Sequence, residues 1–252
     1  MKVAPWAGGL LDLLLPTGCV VCGAWIPGDA SAPIVCGACL ARLPVASWPR
    51  CPRCHHPSGT GRRQEPVCRM CRAWPEALGH ARHAHLLAPP ADTLVHALKY
   101  EGWRELAPLM GRAMAALPLP PLPPGGRRVV VPVPTTPRRI RRRGYNQARL
   151  LASSVAERLG LDLSEALERN REGATQVALH PSQRRANVRS AFQAREEALP
   201  VLRGVHVLLV DDVLTTGATA VAAATELILA GVSEVTLLTY ARALPFLRSS
   251  HR

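Results

Sequence analysis

Residues Val207–Thr219 read VLLVDDVLTTGAT. The first four, Val207–Val210, are all aliphatic with no polar alternation, so they are expected to form a strand covered on both faces, the central kind in parallel sheets. Asp211 and Asp212 follow at its carboxyl end, the edge at which open α/β sheets bind ligands. Thr215-Thr216-Gly217-Ala218-Thr219 then turns into the next helix, where free N–H groups, hydroxyls and the positive end of the helix dipole converge on a dianionic phosphate. Gly217 permits positive φ or close approach of the backbone. Carboxylates placed beside a phosphate would repel it, so Asp211 and Asp212 are expected one step away, accepting hydrogen bonds from sugar hydroxyls. The chain contains neither G-x-x-x-x-G-K-[ST] nor G-x-G-x-x-G, which excludes the usual triphosphate and dinucleotide loops.

Outward from this segment, the chain alternates strand-like runs with helical periodicity. Val205–Val210 is read as a strand, Ala218–Ala230 as a helix stopped by Gly231, and Val235–Tyr240 as the next strand, a parallel crossover. Upstream, Val129–Val133 reads as a buried strand. Asn146–Leu159 places Ala148, Leu151, Ala152, Val155, Ala156 and Leu159 at helical spacing, with Gly160 as its stop. Asp92 opens a helix in which Leu94, Val95 and Leu98 share a face, and Leu106, Leu109, Met110, Ala113 and Leu117 resume the pattern. Pro118–Gly126 is a stiff proline-rich connector. This order predicts an α/β fold, a parallel sheet flanked by helices. The composition agrees: 48% of residues are hydrophobic but only 4% aromatic, so the core is aliphatic.

All eight cysteines lie between Cys19 and Cys71, in four C-x2-C pairs: Cys19/Cys22, Cys36/Cys39, Cys51/Cys54 and Cys68/Cys71. Two residues between thiols form a turn that aims both sulfurs at one metal, and two such turns complete a tetrahedron. The expectation is two structural zinc sites of four thiolates each, with either adjacent or interleaved pairs sharing a metal. A disulfide framework would need an oxidising compartment, which nothing else in the chain supports. A module this small has little core, so metal binding supplies its folding energy. The chain is therefore expected to divide into residues 1–75, an apolar N-terminal helix over Trp6–Leu15 and a double zinc ribbon, and residues 76–252, the α/β domain. No apolar run is long enough for a membrane span, and Trp6–Leu15 lacks a cleavage site, so a cytoplasmic protein is expected.

The formal charge is +13, which favours anionic partners. Part of that charge is concentrated in Arg138, Arg139, Arg141, Arg142 and Arg143, just after a strand end, where guanidinium groups suit a ligand with several negative charges; at least half of these arginines are expected to form only a solvated basic face. Lys99 is read first as a plain surface lysine and second as a candidate phosphate contact.

The signature at Val207–Thr219 resembles that of the type I phosphoribosyltransferases. The rest of the chain resembles the ComF family, which joins a cysteine-rich zinc module to a phosphoribosyltransferase-like domain. The residues that carry the likeness are the four cysteine pairs, Leu94–Tyr100, Val131–Pro134, Arg143–Gln147 and the stretch Gln176, Leu179, Arg184, Asn187 and Phe192. One departure is Gly173, where the family tends to have a Thr. The resemblance implies that Asp211, Asp212, Thr215, Thr216, Gly217, Ala218 and Thr219 bind the ribose 5-phosphate end of phosphoribosyl pyrophosphate. It places pyrophosphate at Thr135, Thr136, Arg143, Gly144 and Tyr145, and a closing loop at Gln176, Arg184 and Asn187. Asp211, Asp212 and Arg143 would be the catalytic residues of a Mg²⁺-dependent phosphoribosyl transfer with release of pyrophosphate. The family further implies a role in natural competence and DNA uptake, with single-stranded DNA and recombination proteins as partners. The alternative is a non-catalytic protein that binds phosphoribosyl pyrophosphate in that setting.

Overall fold

The computed structural model describes residues 18–26, 34–58, 67–76, 78–169 and 191–244. The N-terminal segment Trp6–Leu15 and the loop residues Gln176, Arg184 and Asn187 lie outside the described residues.

Seven strands and seven α-helices are described, in the order α1 (Gly37–Ala41), β1 (Leu78–Leu86), α2 (Ala91–His96), α3 (Leu106–Ala115), β2 (Arg128–Pro132), α4 (Pro137–Arg143), α5 (Gln147–Leu159), β3 (Asp162–Leu163), β4 (Leu167–Arg169), β5 (Phe192–Ala194), α6 (Leu199–Leu202), β6 (His206–Leu214), α7 (Ala218–Leu229) and β7 (Glu234–Arg242). A π-helical turn, Ala97–Glu101, continues α2. Five strands form one sheet in the order β1-β7-β6-β2-β3, with every pair parallel. β4 and β5 make a separate antiparallel pair.

β6 lies at the centre because its side chains serve both faces. Val207 and Leu209 join Val129, Val131, Val235 and Leu237 in one buried cluster with Ala220, Ala223, Ala224 and Leu227 of α7. Leu208 and Val210 join Val130, Leu238 and Tyr240 in the other, with α2, α3 and α5. Successive side chains on a strand point to opposite faces, so an unbroken aliphatic run is what a sheet buried on both sides needs. β6 continues past the expected end at Val210 to Leu214, paired with β7 through Leu214↔Arg242. Its pairing with β2 stops at Pro132↔Val210. Asp211 and Asp212 thus stand where β6 has outrun β2, at the mouth of a crevice between the two strands.

The cysteine-rich segment covers the β1 edge of the sheet. Exposed edges invite pairing with other chains, and here the outer N–H groups of Ala81 and Leu86 are bonded to the carbonyls of Arg53 and Pro44, both at 2.8 Å. Cys51, Cys54, Cys71 and Trp74 belong to the same buried cluster as α7, whereas Cys19, Ile26, Val35 and Cys39 belong to the cluster of α2 and α3. The ribbon therefore straddles the sheet edge and contributes to the cores on both faces.

Candidate functional site

The thiols form two groups of four, Cys19, Cys22, Cys36 and Cys39, and Cys51, Cys54, Cys68 and Cys71; within each group all Sγ atoms lie within 4.8 Å of one another. Adjacent pairs therefore share a site. Contacts of 3.8 Å for Cys22–Cys36, 3.7 Å for Cys51–Cys71 and 3.4 Å for Cys54–Cys68 are close to the ~3.8 Å edge of a sulfur tetrahedron built on Zn–S bonds of about 2.3 Å. None of the eight is in a disulfide. The donor set is all sulfur, the set that tetrahedral zinc takes in closed structural sites. The N–H of Cys36 donates to Cys19 Sγ at 3.3 Å. Burial alone would push the Cys19 thiol up, but this and further backbone N–H groups outweigh it and hold the thiol at about 6, ready to ligate as thiolate. His55, next to Cys54, faces Trp48 and His83 instead of a metal.

At the carboxyl ends of β2 and β6, a cleft of about 190 Å³ is lined by Lys99, Tyr100, Val133, Pro134, Thr135, Arg139, Arg143, Gln147, Arg169, Asp211, Asp212 and Thr219. Seven elements supply it, among them the π-turn with Lys99 and Tyr100, β4 with Arg169 and α7 with Thr219. β6 carries the two carboxylates. The turn after β2 carries Thr135, whose buried hydroxyl has no partner among the described residues. Thr136 caps α4 by accepting from the Arg139 N–H at 3.3 Å, with Pro137 in the first turn, so the arginine-rich helix starts beside the cleft. Arg143, at the end of α4, donates to Gln147 Oε1 at 2.8 Å, and Asn146 ties the start of α5 to the Val133 carbonyl at 3.1 Å. The chain turns between α4 and α5 at Gly144, whose φ of +80° a side chain would oppose.

The carboxylates differ. Asp212 is buried and lies 2.7 Å from Lys99 Nζ. Asp211 accepts the N–H of Asp212 at 2.8 Å, and its carboxyl is raised well above the usual range, first by burial and then by the charge of Asp212.

Beyond the carboxylates, Thr215, Thr216, Ala218 and Thr219 are exposed around buried Gly217, which has φ +88° and precedes the twelve-residue α7. The N–H groups of Gly217, Thr219 and Ala220 make no hydrogen bond among the described residues, the unpaired donors a helix start presents to an anion.

The structure brings Asp211, Asp212, Thr135, Arg143 and Thr219 to one cleft. Other expected residues sit differently. The Tyr145 hydroxyl donates to the Leu98 carbonyl at 2.5 Å and the Arg104 guanidinium lies 4.6 Å from its ring, so it braces α2 against α5. Arg138 and Arg142 line a neighbouring hollow around Tyr100. Sequence reasoning missed Arg169 and Gln147 as cleft residues. Gln147 was legible as the last residue of the Arg143–Gln147 motif; Arg169, at the end of a three-residue strand, carried no signal.

A family model of the double zinc ribbon domain matches residues 10–74, and one of the phosphoribosyl transferase domain matches residues 140–244. The DNA utilization protein YhgH of Salmonella typhi is 33% identical over 221 residues, 83% of this chain and 91% of that protein. The chain belongs to the ComF family. Its two groups of four cysteines are the zinc-binding sites of the ribbon, and its five-stranded sheet is the phosphoribosyltransferase-like domain. Another ComF relative, Competence protein F of Haemophilus influenzae, is 37% identical over 117 residues, 45% of this chain and 50% of that protein. Among solved structures, the glutamine phosphoribosylpyrophosphate amidotransferase from B. subtilis is 21% identical, covers 56% of this chain and 30% of that one, and superposes with a TM-score of 0.41. No helix among the described residues is long and apolar enough to cross a membrane.

Proposed function

We propose that the cleft binds phosphoribosyl pyrophosphate with Mg²⁺, and that this ComF protein transfers the phosphoribosyl group to an acceptor with release of pyrophosphate, in the cytoplasm and in the service of DNA uptake. The observation that carries the reading is the juxtaposition, across one crevice, of the Thr215–Thr219 helix start, the Asp211/Asp212 pair and the cationic wall of Arg139, Arg143 and Lys99. A 5-phosphate fits the first, ribose hydroxyls the second and pyrophosphate the third. On this division residues 76–252 hold the ligand, and residues 1–75 hold zinc and brace the sheet.

The reaction breaks the bond from the ribose anomeric carbon to pyrophosphate oxygen and forms one to the acceptor, which gives up a proton. The chain's part is to neutralise the leaving charge and fix the sugar, more than to supply a strong base. Arg143 and Arg139 face the leaving group. Asp211 and Asp212 accept from the ribose hydroxyls, and Asp212 exchanges its contact with Lys99 for ligand donors. The oxygen-rich pair suits a magnesium ion held mainly by ligand phosphates, whose chemistry there would be charge neutralisation. Gln176, Arg184 and Asn187 are proposed to close over the bound ligand.

Titration calorimetry tests the binding claim: heat with phosphoribosyl pyrophosphate that requires Mg²⁺ and is lost in Asp211→Ala/Asp212→Ala supports it, and no heat at millimolar ligand overturns it. Pyrophosphate release in the presence of nucleobases and amines then tests transfer. A non-catalytic role on single-stranded DNA is the second reading, favoured by the exposed Tyr100, which has Arg143 4.8 Å and Arg142 5.7 Å from its ring. Binding that survives physiological salt, with no pyrophosphate release, would select it.

A further inference from the structure

Trp74 joins the second zinc site to the phosphate loop. It follows the last ligand, Cys71, and its N–H donates to the Cys71 carbonyl at 3.1 Å. Arg53, between Cys51 and Cys54, donates to the carbonyls of Cys71 at 3.1 Å, Trp74 at 3.3 Å and Pro75 at 2.7 Å. The backbone of Trp74 is thus tied into the metal-binding turns. Its indole, only 8% exposed, packs against Gly217. A methyl group on Gly217 would stand 2.9 Å from Cζ2, 3.0 Å from Nε1 and 3.1 Å from Cε2, distances that leave no room for it. Gly217 is the buried point of a loop whose neighbours, Thr215, Thr216, Ala218 and Thr219, are exposed.

We infer that Trp74 is a positioning residue for the phosphate loop: the second zinc ribbon sets the conformation of Thr215–Thr219 through the contact of the indole with Gly217. Phosphate binding by a loop requires its N–H groups to converge before the ligand arrives, and a rigid support from beneath supplies that order. A left-handed glycine has the widest conformational freedom of any residue, so it is the position where the loop most needs a wall. The inference rests on the reading of Thr215–Thr219 as the 5-phosphate site. It makes the ribbon a working part of the ligand site.

The test is calorimetry of the full-length zinc-loaded protein with three probes: phosphoribosyl pyrophosphate, ribose 5-phosphate and Mg²⁺-pyrophosphate. Trp74→Ala should weaken the first two about tenfold, the order of cost of having to fix a loosened group on binding, and leave pyrophosphate unchanged. Trp74→Phe, which keeps an aromatic ring beside Gly217, should stay near wild type. Trp74→Leu keeps the core filled without that ring and should behave like alanine, which covers the case in which Trp74→Ala fails to fold. Zinc content should remain that of wild type in all three. Wild-type binding of ribose 5-phosphate with equal affinity in Trp74→Leu overturns the inference alone, as does an equal loss for all three probes. A wild type that binds no probe overturns the phosphoribosyl reading as well.

Discussion

Lys99 Nζ lies 2.7 Å from Asp212 Oδ2, and the two residues come from opposite walls of the cleft, one from a π-helical turn and the other from the central strand. π-turns inside helices recur at functional sites because they re-aim one side chain. Here the turn directs an ammonium at a carboxylate that is only 4% exposed. Removing one member of a buried pair leaves an uncompensated charge, whereas removing both does not. Lys99→Ala should therefore lower stability by about 1–3 kcal/mol, less than for a fully buried pair because Lys99 is partly solvated. Lys99→Ala/Asp212→Asn should recover most of it. Urea midpoints of wild type, Lys99→Ala, Asp212→Asn and the double variant measure the coupling, and strictly additive effects would refute it.

Asp211 gives a pH signature. Its raised carboxyl means that the folded state prefers it neutral, so the stability associated with that proton is complete below the usual carboxylate value and is lost as pH rises towards the raised one. Asp211→Asn keeps the neutral form at every pH. The variant should match wild type near pH 4 and become progressively more stable than wild type towards pH 8. Melting temperatures across that range decide; a constant difference would show that Asp211 does not carry the titration.

Much of this was readable in the chain because local physics wrote it there. The unbroken aliphatic run Val207–Val210, followed by a turn and a helix, pointed to a strand buried on both faces, and four C-x2-C pairs pointed to turns that aim thiols at a metal. β1 was not read, since His80, Arg82, His83 and His85 make Leu78–Leu86 look like a solvated segment. Those polar groups are tolerated because the zinc ribbon covers the edge: Arg82 donates to the carbonyls of Pro52, Arg53, Ala81 and Pro118. Pairing across the sheet also hid the Lys99–Asp212 contact and the seat of Trp74 on Gly217, which are set by tertiary packing and leave no local pattern.

Arg242 bears on the second zinc site. It is 1% exposed and donates to the Cys54 carbonyl at 2.8 Å, and neither it nor Arg82 pairs with a carboxylate among the described residues. A buried guanidinium needs an anion nearby, and four thiolates around Zn²⁺ supply one. Arg242→Met should lower zinc affinity at Cys51, Cys54, Cys68 and Cys71 about tenfold, the usual effect of losing an outer partner, and leave the other site unchanged. Chelator-driven release followed by absorbance should turn from one phase to two. Cys51→Ser/Cys54→Ser should halve the zinc content, and unchanged zinc there would refute the ligand assignment.

His206 tests the sheet interior from the acid side. It is 3% exposed, and its Nε2 is 2.8 Å from Thr236 Oγ1. Burial, then the charges of Arg128 and His80, bring it down to about 4; Glu234, 3.7 Å from Nδ1, is too distant and too exposed to offset them. A depressed histidine contributes stability that is present above its unfolded value and is lost as pH falls from about 6.5 towards the folded one, because the unfolded chain takes up the proton first. Over the interval from pH 7 to pH 5 that linkage amounts to about 2 kcal/mol, at 1.36 kcal/mol per unit. His206→Gln retains a partner for Thr236 and cannot charge. Its urea midpoint should fall less than that of wild type over this interval, the zinc sites being common to both proteins. Parallel pH profiles would mean that His206 takes up its proton equally readily in the folded and unfolded chain, which would refute the depression by burial.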